Sequence, residues 1–255
     1  AFFLLYMTEG IPLGFAATAV ATQLRRQGVG PAEIGAFVAS FYLPWAFKWA
    51  VGPIVDVLSS DRFGRRRAWI IAMQLLMVAS LFLIMAVGVS ASLATLTAII
   101  ILHNAFAATQ DVAIDALAVN TLHEDERGVA NGLMFGGAYL GQAVGGSGAL
   151  LLAPLIGFGN TYYFVAAAIL AVTVFIAWPM REVPSPRPAR PENAVLLQIG
   201  RELRDFGTAT FRAITGARAA WIALLFALLP TGAYALGLAA IAAARNAAWL
   251  TLPSR

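Results

Sequence analysis

Charge in this chain comes in short clusters separated by apolar stretches of about 20 residues, the length at which a helix rising 1.5 Å per residue crosses a hydrocarbon core. In lipid every backbone N–H and C=O must find its partner within the protein, so stretches of this kind have to be helices packed as a bundle. A water-soluble domain carries about twice the charge found here, where 12% of residues are charged and 60% are hydrophobic. The fold class that follows is an all-α integral membrane bundle.

Seven spans are expected. The first runs from about Phe2 to Leu24, and the second from near Ala32 to Val57. The third is Trp69 to Val89, the fourth about Leu93 to Leu122, and the fifth a glycine-rich stretch to about Leu155. The sixth is Tyr162 to Trp178, with aromatic residues placed at the two interfaces, and the seventh is Trp221 to Ala243. Between the last two lies the one long linker, proline-rich at Pro184, Pro186, Pro188 and Pro191. Farther on, Leu196, Leu197, Ile199, Leu203 and Phe206 suit an amphipathic helix. The expected organisation is therefore a six-helix half over residues 1–179, a linker over 180–218, and a seventh helix with a short tail over 219–255.

Basic residues set the orientation. The loops after spans two, four and six hold 12 arginines, whereas those after spans one, three and five hold 2, which places the N-terminus on the cytoplasmic side. The same count accounts for the formal charge of +4 without any nucleic-acid partner. There are no cysteines and only two, widely separated histidines, so thiolate metal sites are excluded and no cofactor is expected. Apolar sequence starts at once after Ala1, without a basic leader, so the chain is expected to lack its own start. Six spans, a long cytoplasmic linker and another span suit two helical halves joined in the middle. A seven-helix receptor matches the count, but it would put its two ends on opposite sides and does not call for a long linker there.

Several polar residues interrupt the spans. Glu9 lies in span one, Tyr42 and Lys48 in span two, and His103, Asn104, Thr109, Gln110, Asp111 and Asp115 in span four. Asp111 and Asp115 are four residues apart, hence on one helix face about 6 Å apart along the axis. A carboxylate within a span costs at least a few kcal/mol unless it meets a polar cavity or a partner, so these groups should point inward. Glu9, Lys48 and Asp111 are expected to line a central cavity, one carboxylate carrying a proton while the lysine holds an anionic solute group. Burial favours the neutral acid and a lysine neighbour favours the carboxylate, so which acid is the carrier stays open. The bland alternative is a Lys48–Asp111 pair that only ties spans together, with Asp115 a partly solvated end charge. For His103 and Asn104 an interhelical hydrogen bond serves equally well. Span five carries Gly132, Gly136, Gly137, Gly141, Gly145, Gly146 and Gly148, a stripe that lets two helix backbones approach closely.

The loop between spans two and three reads Gly52-Pro53-Ile54-Val55-Asp56, then Asp61-Arg62-Phe63-Gly64-Arg65-Arg66-Arg67. It resembles the signature loop of the major facilitator superfamily. That resemblance implies a gating latch made of Gly52, an acid at Asp56 or Asp61, and Arg62, Gly64 and Arg65. Three stretches are more specific: Glu9-Gly10-Ile11-Pro12-Leu13-Gly14-Phe15, Tyr42-Leu43-Pro44-Trp45-Ala46-Phe47-Lys48, and Ala108-Thr109-Gln110-Asp111-Val112-Ala113-Ile114-Asp115-Ala116. Together they resemble the AmpG-type muropeptide permeases and their acetyl-CoA and peptide transporter relatives, with siderophore carriers sharing much of the pattern. The resemblance implies proton-coupled uptake of a sugar-peptide solute across the bacterial inner membrane, with Glu9, Tyr42, Lys48, Gln110, Asp111 and Asp115 on the solute and proton pathway. Members of that family have about twelve spans, so the expected partners are protons, a small solute, the bilayer and a second transporter half. The chain is then a fragment or a truncated half-transporter.

Other classes fit less well. A membrane enzyme would need a catalytic cluster at the surface, and Glu124-Asp125-Glu126 has no basic or nucleophilic partner in its loop. No Walker-type glycine loop and no filter-like segment occurs, which disfavours ATP-driven transport and channels.

Overall fold

The computed structural model describes residues 1–57, 64–87, 92–182, 195–216 and 221. Those residues form helices joined by short turns, with no strand among them. Six helices are long and apolar enough to cross a membrane: α1 (Phe2–Arg26), α2 (Pro31–Asp56), α3 (Arg65–Val87), α4 (Leu93–Thr121), α5 (Glu124–Ile156) and α6 (Phe158–Ala177). The chain divides into two compact units, Ala1–Ile199 and Gly200–Arg255, and the six spans all belong to the first. A seventh helix, α7, covers Val195–Gly216. Its pattern puts Leu196, Ile199, Leu203 and Phe206 at helical spacing, while Arg201, Arg204, Asp205 and Arg212 are exposed. The span expected from Trp221 to Ala243 lies, apart from Trp221, outside the described residues, as do Asp61, Arg62 and the proline-rich stretch from Pro184 to Pro191.

Local chemistry sets the helix ends. Pro31 opens α2 at its first turn, where Glu33 accepts the Gly30 N–H at 3.0 Å. Ser92 caps α4 by accepting the Thr95 N–H at 3.2 Å. Glu124, Asp125 and Glu126 form the first turn of α5, where negative charge suits the helix dipole, and Glu126 accepts the His123 N–H at 3.1 Å. Pro154 does not end α5. The helix runs through it to Ile156 and stops at Gly157, whose φ of +84° only glycine adopts without strain.

Span two departs from the continuous helix expected of it. Pro44 has no N–H to give, so Phe41, Tyr42 and Leu43 donate instead to carbonyls three residues back, at 3.2–3.3 Å. A single tight turn over Pro44–Phe47 follows before regular helix resumes at Lys48.

α1 and α5 pack backbone to backbone. A Cβ at Gly137, Gly141 or Gly145 of α5 would strike backbone atoms of Phe3, Met7 or Ile11, and one at Gly10 or Gly14 of α1 would strike Ala138 or Gln142. Of the glycines in the span-five stripe, Gly132 faces open space, Gly136 only the Phe3 ring and Gly148 only the Val144 side chain of its own helix, so the working stripe is narrower than the sequence pattern. Wide helical turns at Phe15–Val20 and Val144–Gly148 lie against each other where the two helices meet.

Two apolar clusters occupy opposite ends of the bundle. One is built around Phe15, Phe37, Phe41, Met77, Leu81, Tyr162 and Ile169. The other, at the arginine-rich end, contains Leu5, Val55, Ile70, Ile114, Leu117 and Met134. Between them lies a buried polar layer of Thr8, Glu9, Gln74, Gln110 and Asp111, while Ser80, His103 and Asn104 are buried among residues of the first cluster.

Candidate functional site

A cavity of about 400 Å³ opens beside that layer, bounded by α1, α2, α4 and α5. Glu9 reaches it from α1, Lys48 from α2, and Asp111 and Asp115 from α4. The four-residue spacing of the aspartates puts both on one face, as one helical turn requires. Lys48 forms an ion pair with Asp111 and lies 3.8 Å from Asp115. The Asp111 side chain is 4% exposed and that of Asp115 is 48% exposed, so the lysine bridges a dry carboxylate and a wet one.

The lysine is held by more than charge. Its Nζ sits 5.4 Å from the centre of the Trp45 ring, within range of a cation–π contact. Trp45 in turn donates its Nε1–H to Asn104 at 3.3 Å, while Asn104 donates to the Ile100 carbonyl at 2.9 Å. Asn104 therefore makes an interhelical bond, and so does His103, whose Nδ1 lies 2.8 Å from Ser80 Oγ. Ser80 gives its own proton to the Met77 carbonyl, so the nitrogen facing it carries the hydrogen.

Two residues of the expected pathway fall elsewhere. Tyr42 is 59% exposed and does not line the cavity. Gln110 sits fully buried behind the cavity wall, where it donates to Glu9 at 3.3 Å and to Thr8 at 2.9 Å.

Several lining residues were not anticipated. Tyr6 donates its hydroxyl to Asp115, and Asn131, Phe135, Tyr139 and Gln142 complete the wall from α5. Spacings of four, eight and eleven from Asn131 put all of them on one helical face. Asn131 and Gln142 are amides within an apolar span, so the reasoning applied to span four would have found them. A second cleft of about 520 Å³ shares Asp115 and Asn131 with the first and continues past Arg127 toward the arginine-rich end.

Of the expected latch between α2 and α3, Gly52, Asp56, Gly64 and Arg65 are among the described residues. Asp56 pairs with Arg66, and its carbonyl accepts from Arg65 at 3.0 Å. Gly52 has open space where a Cβ would stand. Gly64 does need to be glycine, with φ at +87°. Glu182, which follows α6, accepts the backbone N–H groups of Arg66 and Arg67 at 2.9–3.1 Å and so caps α3.

Comparison with known proteins agrees with this architecture. The chain is 28% identical over 230 residues to the anhydromuropeptide permease of Escherichia coli K12, an alignment covering 89% of the chain and 44% of that protein. It is 27% identical over 179 residues to a Rickettsia conorii protein carrying the designation transporter AmpG 4, covering 68% of the chain and 43% of the relative. A Haemophilus influenzae protein of no named activity is 27% identical over 172 residues. The chain thus spans less than half the length of these relatives. The sequence model of the Major Facilitator Superfamily matches residues 1–252, and with six membrane-length helices, four of which bound a polar cavity, the chain belongs to that superfamily as a multi-pass membrane protein.

Proposed function

We propose that this chain supplies one helix bundle of a proton-coupled secondary transporter that moves an anionic sugar-peptide solute of the muropeptide class across the bacterial inner membrane. A second bundle closes the open side of the cavity, and the N-terminus lies in the cytoplasm. The observation that carries the reading is the placement of Glu9, Asp111 and Asp115 around a single lysine, in one cavity between helices of membrane length. Groups of this kind are held at membrane depth where ions or solutes pass. The similarity to the anhydromuropeptide permease supports the solute class.

Charge balance supports proton coupling. With three carboxylates and one lysine the cavity carries two excess negative charges when all four are ionised. An anionic group that takes Lys48 from Asp111 leaves a buried carboxylate without its partner, which at about 4 Å and an effective dielectric of 20 forfeits roughly 4 kcal/mol of attraction. A proton on that carboxylate removes the penalty, so solute and proton load together. In the bland alternative the pair only fastens α2 to α4. The continuity of the cavity with the cleft at Arg127 favours transport, because it gives Lys48 a route to the arginine-rich face.

The test is uptake of radiolabelled anhydromuropeptide by proteoliposomes under an imposed pH gradient. Acid outside should drive accumulation, and Asp111→Asn should abolish it while the protein still inserts. Unchanged uptake and pH dependence in Asp111→Asn would remove the coupling role. Accumulation of a ferric siderophore or acetyl-CoA in place of the muropeptide would keep the coupling and replace the solute.

A further inference from the structure

Behind the cavity wall, Thr8 on α1 is the centre of a closed set of hydrogen bonds. Its hydroxyl donates to the Leu5 carbonyl at 2.6 Å. Its oxygen accepts from Gln110 Nε2 of α4 at 2.9 Å and from Gln74 Nε2 of α3 at 3.3 Å. A hydroxyl has one proton and two lone pairs, so Thr8 is saturated. Gln110 Nε2 has two hydrogens. One goes to Thr8 and the other to Glu9 Oε1 at 3.3 Å. Because the Thr8 proton is committed to Leu5, neither amide can turn its oxygen toward Thr8 without setting two acceptors against each other. The orientation of Gln110, and with it the hydrogen aimed at Glu9, is therefore fixed by groups that never touch the cavity.

Thr8, Gln74 and Gln110 are all fully buried. Among the described residues no donor reaches Gln74 Oε1 or Gln110 Oε1. A pair of unmet buried acceptors is costly, and apolar side chains of similar shape would avoid it, so this cluster is a poor device for holding helices together. Resting on the transport reading of the cavity, we infer that Thr8 and Gln74 are positioning residues: through Gln110 they hold the Glu9 carboxylate in one orientation in the cavity wall. The charged and titratable groups around Glu9 are Tyr6 on its own helix, Lys48 on α2, Asp111 and Asp115 on α4, and Tyr139 on α5. α3 contributes only the neutral Gln74. That neutrality lets α3 orient Glu9 without altering the charge of the cavity.

The experiment is acid-driven uptake of radiolabelled anhydromuropeptide in proteoliposomes holding the chain together with its second bundle. Thr8→Val and Gln74→Leu should each lower kcat roughly tenfold, the size expected of a misplaced group, with KM unchanged because neither side chain lines the cavity. Thr8→Ser, which keeps the hydroxyl, should transport normally. Thr8→Val combined with Gln74→Leu should be no worse than either alone, since both break one network, whereas independent packing defects would multiply. Gel filtration checks folding, and Gln74→Met replaces Gln74→Leu if the branched side chain does not fit. Normal kcat in Thr8→Val and Gln74→Leu, or losses that multiply, would overturn the inference. Glu9→Gln separates this from the function itself. A neutral Glu9→Gln removes Glu9 from the transport reading, while an impaired Glu9→Gln beside normal Thr8→Val and Gln74→Leu removes only the positioning role.

Discussion

Gly145→Ala is the sharpest probe of how α1 and α5 meet. The new Cβ would lie 2.7 Å from the Ile11 carbonyl carbon and 2.9 Å from its Cα, and nearer still to its oxygen. Carbon atoms settle at about 3.5–4.0 Å, so relief needs the helices to part by about 1 Å. Nothing else can yield, because all three atoms are backbone. Overpacking of this kind costs about 1–3 kcal/mol, against which alanine recovers about 0.5–1 kcal/mol of helix propensity. The net effect is a loss of about 1–2 kcal/mol, or several degrees of melting temperature at 2–4 °C per kcal/mol for a chain of this size. Gly132→Ala is the matched control, since nothing lies within 4 Å of its Cβ position. Thermal unfolding in detergent, followed by tryptophan fluorescence, compares the two. If Gly145→Ala melts at or above Gly132→Ala, the close crossing of α1 and α5 is wrong.

Three further outcomes follow from the same geometry. Lys48→Met leaves Asp111 buried without its partner and should cost about 3 kcal/mol, the low end of the range for a broken buried pair because the lysine side chain is 31% exposed; Lys48→Met with Asp111→Leu should restore the melting temperature but not uptake. Gly64→Ala forces a φ of +87° on a residue with a Cβ and should lose about 1–2 kcal/mol by thermal unfolding, whereas Gly52→Ala, in open space, should be neutral. Trp45→Phe keeps a ring beneath Lys48 but removes the donor to Asn104, so stability should fall by about 1 kcal/mol while uptake persists.

The six described spans were legible because one rule governs them: about 20 apolar residues between charges must be helix in lipid. The intramembrane acids and the lysine were legible for a related reason, since Glu9, Lys48, Asp111 and Asp115 each demand a partner and have few to choose from. What the sequence hid was set by detail finer than hydropathy. Tyr42 and Lys48 stand in one motif, yet six residues on a helix of about 3.6 per turn leave them on different faces, and only Lys48 lines the cavity. Gly10 and Gly14 were visible in the motif of span one, but their role depends on Ala138 and Gln142, which lie more than 120 residues away in the chain. Glu182 as the cap of α3 was hidden in the same way, 115–116 residues along the chain from its partners, and local spacing cannot register either contact.

The helices are tied to one another by different kinds of bond, and the difference bears on how the cavity can change. α1 and α5 are locked by backbone contact along Gly137, Gly141 and Gly145, which no side-chain rotation can release. α1 and α4 are joined by the hydrogen bonds of Gln110 to Thr8 and Glu9, in which the Thr8 hydroxyl has no further capacity. α2 faces α4 through the Lys48 ion pair, its cation–π contact, and a 3.3 Å hydrogen bond from Trp45, all on a segment already interrupted at Pro44. An anionic group competes directly for Lys48 but has nothing to offer the glycine crossing. On the proposed function, solute charge acts first on the least firmly fastened helix of the wall, at the residue where a proton on Asp111 would compensate.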